Sequence, residues 1–170
     1  MAPSRLKIKI VRGEDREVKY PPATQITFRA FAIDGDDVSD AGVMYVNVSE
    51  GGTGPFKRPT IARVKWVEVE EEFRKQHIGT KLYEAAAKHA CTRLKVPLRS
   101  DDLRSAYSQG FWDKQMRKGR ADCLESCEAN DGCRRSNYVV GRGGCLVYTL
   151  RCPAPRSLAG ATSRTRGRRR

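Results

Sequence analysis

Ile61-Ala62-Arg63-Val64-Lys65-Trp66-Val67-Glu68-Val69 runs directly into the charged stretch 70–77, and Ile78-Gly79-Thr80-Lys81-Leu82 then opens a segment with a different period. The first nine residues place β-branched and aromatic side chains at alternating positions, which is the pattern of a strand. After Gly79, Leu82, Ala85, Ala86, His89, Ala90 and Leu94 fall three and four apart, on one face of an amphipathic helix. A strand, a tight loop and a helix are therefore consecutive. Such a loop offers unpaired backbone N–H groups and the positive end of a helix dipole to an anion, and a pyrophosphate suits it.

Upstream, Leu6-Lys7-Ile8-Lys9-Ile10-Val11 alternates apolar and basic side chains and reads as a first strand. Residues 13–24 are polar and contain Pro21-Pro22, so they read as a connection. The runs 26–33 and 42–48 flank Asp34-Gly35-Asp36-Asp37 and form an expected antiparallel hairpin, and 49–59 an exposed connection. Downstream, Val96-Pro97-Leu98-Arg99-Ser100 is a short strand. Asp101 or Asp102 is the expected cap of a second helix through Tyr107, Phe111, Trp112 and Met116. Tyr138-Val139-Val140 and residues 145–150 read as a hairpin around Gly141-Arg142-Gly143-Gly144.

The expected fold class is α/β, with a central mixed β-sheet flanked by helices. The expected domains are 1–121, a Cys-rich extension 122–152 with a β-hairpin, and a disordered Arg-rich tail 153–170. Of a formal charge of +13, residues 117–170 hold thirteen Lys/Arg against four carboxylates, so the positive charge is concentrated near one end. A segment of that kind, ending in Ser163-Arg164-Thr165-Arg166-Gly167-Arg168-Arg169-Arg170, attracts nucleic acid or an acidic protein. No apolar run reaches the roughly 18 to 20 residues that cross a bilayer, and no N-terminal apolar stretch marks a secretion signal. A cytoplasmic protein with no membrane partner is expected.

That compartment bears on the cysteines. Cys91 stands alone, while Cys123, Cys127, Cys133, Cys145 and Cys152 cluster. Cys123, Cys127, Cys133 and Cys145 are enough thiolates for a tetrahedral zinc site, but they lack the tight two-residue knuckle spacing. Reduced, unlinked thiols are the expected state, with zinc not favoured and disulfides reserved for an oxidising compartment.

The stretch from Val69 through Glu72, Phe73, Arg74, Lys75, Gln76, His77, Ile78, Gly79 and Thr80 to Leu82 resembles the acyl-coenzyme A loop of the GNAT superfamily of N-acetyltransferases. Arg74 and Gly79 match its pattern, and His77 stands where the family has its first glycine. Ser105-x-x-Ser108-x-x-Phe111-Trp112-Asp113-Lys114 is similar to the family's next helix. The resemblance covers about residues 26–120. It implies a GNAT-like sheet and binding of acetyl-CoA as co-substrate by Arg74, Lys75, Gln76, His77, Ile78, Gly79 and Thr80, with backbone groups of Val67 and Val69 along the pantetheine arm. The reaction it implies is direct attack by an amine on the thioester. Trp112 replaces the tyrosine that usually serves as acid, leaving Tyr107 as a substitute. Glu68, Glu70, Asp101 and Asp102 are the candidate bases. The family's two helices between the first strands have no room here, so the acceptor side is expected to be open, as suits an amine on a large or nucleic-acid-associated acceptor. The alternatives are a catalytically silent GNAT-like module that binds nucleic acid and a GNAT-like enzyme that modifies nucleic-acid bases.

Overall fold

A computed structural model describes residues 6–49, 59–101, 103–126 and 144–154. The expected strand Tyr138-Val139-Val140, the cysteines Cys127 and Cys133, and almost all of the Arg-rich tail lie outside them. The described residues form one mixed sheet of seven strands in the order β1-β2-β3-β4-β5-β7-β6, with two helices.

Three long strands, β1 (Lys7–Lys19), β2 (Pro22–Asp34) and β3 (Asp37–Ser49), form an antiparallel meander. The β2–β3 turn is two residues long, and Gly35 takes the left-handed φ of 62° that the turn requires and glycine adopts without steric cost. Residues 13–24 are not a connection. They are the far halves of β1 and β2, paired from Asp15↔Ile26 to Lys19↔Pro22 and joined at Tyr20-Pro21. This end of the ladder has mostly wet side chains, so the apolar alternation that marks a strand is missing there.

β3 pairs antiparallel with β4 (Ile61–Val69), and β4 runs parallel to the short β5 (Leu98–Arg99). The crossover between them is α1 (Ile78–His89), which continues into a π-turn at Ala90–Leu94. α2 (Ala106–Arg117) follows β5, and its N-cap is Ser105, whose Oγ accepts from the Ser108 amide at 3.2 Å. The cap is therefore neither Asp101 nor Asp102. The hairpin partner of β7 (Cys145–Leu150) among the described residues is β6 (Ala121–Ser126), a strand that sequence periodicity does not reveal. β7 lies between β5 and β6, so the described part of the Cys-rich region belongs to the central sheet.

Both helices lie on one face. Ile26, Phe28, Ala30, Met44, Val46, Val48, Ala62 and Val64 of the sheet share a core with Ile78, Leu82 and Ala86 of α1. α1 and α2 meet where Tyr83 stacks on Phe111 at 4.1 Å, and Trp112 fills the angle between Tyr83, Phe111 and Tyr148. Trp112 is wholly buried.

The expectation of reduced thiols is overturned for the described cysteines. Cys91 bonds to Cys152 and Cys123 to Cys145, with Cα–Cα distances of 5.6 and 5.7 Å. The pairs lie 61 and 22 residues apart in sequence, and it is the return of β7 past the π-turn and alongside β6 that brings them together. No described helix is long and apolar enough to cross a membrane.

Candidate functional site

The site begins with a fault in β4. Its partners on β3 run from Ile61↔Ser49 to Val64↔Val46 and resume at Trp66↔Tyr45, so Lys65 is an extra residue. A bulge of this kind bends a strand and re-aims its side chains. On its other edge β4 pairs with β5 only at Ala62↔Leu98 and Arg63↔Arg99. β5 ends there because Ser100 turns to β7: its amide donates to the Tyr148 carbonyl at 2.9 Å, and its Oγ accepts from the Tyr148 amide at 2.9 Å. Beyond Arg63 the two parallel strands therefore part.

The opening is a cleft of about 110 Å³, walled by Val64, Lys65, Trp66 and Val67 of β4 and by Tyr83, Asp101, Arg104, Ser105 and Ser108. Lys65 Nζ lies 3.4 Å from Asp101 Oδ2, an ion pair across the two diverging strands. Tyr83 donates its hydroxyl to Ser108 Oγ at 3.1 Å, and Ser105 Oγ lies 3.3 Å from the same oxygen, so three hydroxyls form a chain along the wall. Burial pushes the Tyr83 phenol above its ordinary pKa, which keeps it protonated. Arg104 is buried and lies 5.0 Å above the Tyr148 ring; it donates to Gln109 Oε1 at 2.9 Å and to the carbonyls of Asp101 and Leu146. Burial lowers its pKa, but a guanidinium starts high enough to remain a cation.

The loop leading to α1 leaves β4 after Val69. The Glu70 amide donates to the Ala41 carbonyl at 3.0 Å, a 3-10 turn follows at Glu71–Phe73, and Arg74 Nε donates back to the Val69 carbonyl at 3.3 Å. Lys75 and His77 both adopt left-handed backbone, with φ of 66° and 59°. His77 is the N-cap and supplies no side-chain hydrogen bond. The amides of Gln76, His77, Ile78, Gly79 and Thr80 find no acceptor among the described residues. These are the unsatisfied donors of a helix N-terminus, next to the exposed cations Arg74 and Lys75. Gly79 is buried under Tyr107, and a Cβ there would come within 2.6 Å of the Tyr107 ring and hydroxyl.

The expected site residues separate into two groups. Val67 lines the cleft, Val69 ends the same strand, and residues 74–80 form one continuous loop and helix start. Of the five acid and base candidates, Asp102 lies outside the described residues, and among the other four Asp101 alone lines the cleft. Glu68 does not line it; its Oε2 accepts from Trp66 Nε1 at 3.4 Å. Glu70 is exposed at the start of the 3-10 turn, and Tyr107 covers Gly79. For a zinc site, Cys123 and Cys145 are bonded to each other and are not free thiolates, and no group of three or more metal-ligating side chains occurs among the described residues. Sequence reasoning missed Lys65, Tyr83 and Arg104 as cleft residues. The break that Lys65 makes in the alternation of β4 is the one signal that was available.

No protein-family model matches the sequence, and no curated protein is significantly similar to it.

Proposed function

We propose that the protein is an acetyl-CoA-dependent N-acetyltransferase of the GNAT type, acting on an amine of a large acceptor. The observation that carries this reading is the parting of β4 from β5 beside a helix start with five unsatisfied amides. An acyl thioester of a nucleotide needs both features: donors for a pyrophosphate at one end and a strand with a free edge along which a pantetheine amide can pair. The strand order, with its single parallel pair at the point of divergence, agrees with the resemblance in residues 26–120.

Each residue group then has a part. The amides of Gln76 to Thr80, with Arg74 and Lys75, hold the diphosphate. The free edge of β4 at Val67 and Val69 orients the arm, and Arg74 braces that edge through the Val69 carbonyl. Asp101 is the group placed to accept the proton of the incoming amine. Tyr83, kept protonated by burial, is placed with Ser108 and Ser105 to return a proton to the departing thiolate. Proton transfer of this kind contributes a factor of roughly 10² to 10⁴.

A second reading, a catalytically silent module, is favoured by one observation. Trp112 stands where the family has its acid and is wholly buried, so it reaches no substrate. Calorimetric titration of the full chain with acetyl-CoA separates the two. The transferase reading expects binding that an Arg74→Ala/Lys75→Ala variant weakens by about tenfold or more, about 1.4 kcal/mol, and that His77→Gly preserves. It also expects thioester turnover that Asp101→Asn abolishes. Absence of binding by the unaltered chain overturns the transferase reading, and binding without turnover leaves the silent module.

A further inference from the structure

The face of the sheet opposite the helices carries no helix among the described residues, because β1 joins β2 through the two-residue turn Tyr20-Pro21. Its side chains follow from the register. One row crosses the strands as Arg16, Gln25, Asn47, Arg63 and Arg99, and Gln25 Nε2 donates to Asn47 Oδ1 at 3.1 Å within it. The next row is Thr27, Tyr45 and Trp66, followed by Val11, Arg29, Val43 and Glu68. Lys9 beside Phe31 and Lys7 beside Ile33 complete the face. Successive rows lie roughly 7 Å apart, twice the rise per residue of a strand.

Two features of this face call for a ligand. Lys7, Lys9, Arg16, Arg29, Arg63 and Arg99 make no ion pair among the described residues, and the carboxylates sharing these rows are Glu68 and Asp40. Arg63 and Arg99 are direct neighbours on parallel strands, an arrangement of like charges that costs stability until an anion lies between them. Arg63 Nε is in addition enclosed without an acceptor. The second feature is the pair Tyr45 and Trp66, cross-strand neighbours whose rings engage no other aromatic ring among the described residues; Trp66 is 57% exposed. An indole at that exposure, beside the opening of the sheet, is a flat surface open to stacking.

We propose that this face binds single-stranded nucleic acid, with unpaired bases stacked on Tyr45 and Trp66 and phosphates on the Arg63–Arg99 pair, Arg16, Arg29, Lys7 and Lys9. Rows of cations flanking a row of rings are complementary to a chain of alternating phosphates and π-faces. A duplex hides its bases from a flat sheet, and an acidic peptide offers the rings nothing to stack on. The proposal is independent of the transferase reading. Trp66 also forms part of the cleft wall, so a strand lying here ends at the cleft mouth.

The test uses the full chain, with the Arg-rich residues 164–170 kept in every variant. A short single-stranded oligoadenylate is titrated while indole emission is followed. Trp112 is wholly buried, so quenching reports on Trp66. Quenching is expected, and Tyr45→Ser and Trp66→Ser should each weaken binding, read by anisotropy of the labelled oligonucleotide, by roughly five- to hundredfold. Arg63→Glu with Arg99→Glu should weaken it and flatten its dependence on salt. Oligoadenylate binding that none of these variants changes overturns the proposal and assigns the affinity to the tail. Equal affinity for a duplex, a preference for an acidic peptide, or absence of binding overturns it as well. If a variant fails to fold, the indole response of the unaltered protein decides.

Discussion

Tyr83 couples the cleft to the core. Its phenol is held above the ordinary pKa first by burial, so the folded state binds that proton more tightly than the unfolded chain does. The stabilisation is fully present below pH about 10 and is lost as pH rises through the folded value. Melting temperature should therefore fall above pH about 10. Tyr83→Phe should flatten part of that fall, at the cost of about 1 kcal/mol at neutral pH for the lost hydrogen bond to Ser108. An unchanged alkaline profile in that variant would remove Tyr83 from the account. Tyr148 shifts in the same direction, again first through burial, which is why the flattening is partial. At this scale the sequence was half legible. The loop from Arg74 to Thr80 could be read because its charges and Gly79 are contiguous. Asp101 is a candidate in the sequence, but Lys65 of β4 and Tyr83 of α1 lie far from it along the chain, and beyond the break at Lys65 nothing local marks their convergence.

Among the elements, α2 is held by Trp112, which touches Tyr83, Phe111 and Tyr148. Trp112→Ala should cost about 3 to 5 kcal/mol, the usual range for removing a large buried aromatic, measured by denaturant unfolding. On the transferase reading, Trp112→Tyr should leave turnover unchanged, since a hydroxyl placed there would lie inside the core and not in the cleft. A gain in kcat from that variant would show that the helix is free to turn. Elements with one dry face were plain in the sequence: β4, α1 and the helix-facing residues of β2 and β3. The distal half of β1 and all of β6 were not, because most of their side chains are wet and a strand without a dry face leaves no period to read. The clustered cysteines of 122–152 suggest an extension, whereas the described part of that segment finishes the central sheet.

At the scale of the molecule, two cross-links among the described residues hold the last described strand. Cys91–Cys152 ties the end of α1 to the residue chain leaving β7, and Cys123–Cys145 ties β6 to β7. By loop-closure entropy each contributes about 3 to 4 kcal/mol. Melts with and without dithiothreitol should differ accordingly, and a protein indifferent to reductant would show that packing alone secures β7. The placement of β7 between β5 and β6 also orders events during synthesis. α1, α2 and the first five strands are all synthesised before residues 145–150, yet Ser100, Arg104 and Trp112 find partners on that strand. The nascent chain therefore carries a finished meander and an unfinished cleft, and it completes the cleft only when its last described strand is threaded into the gap.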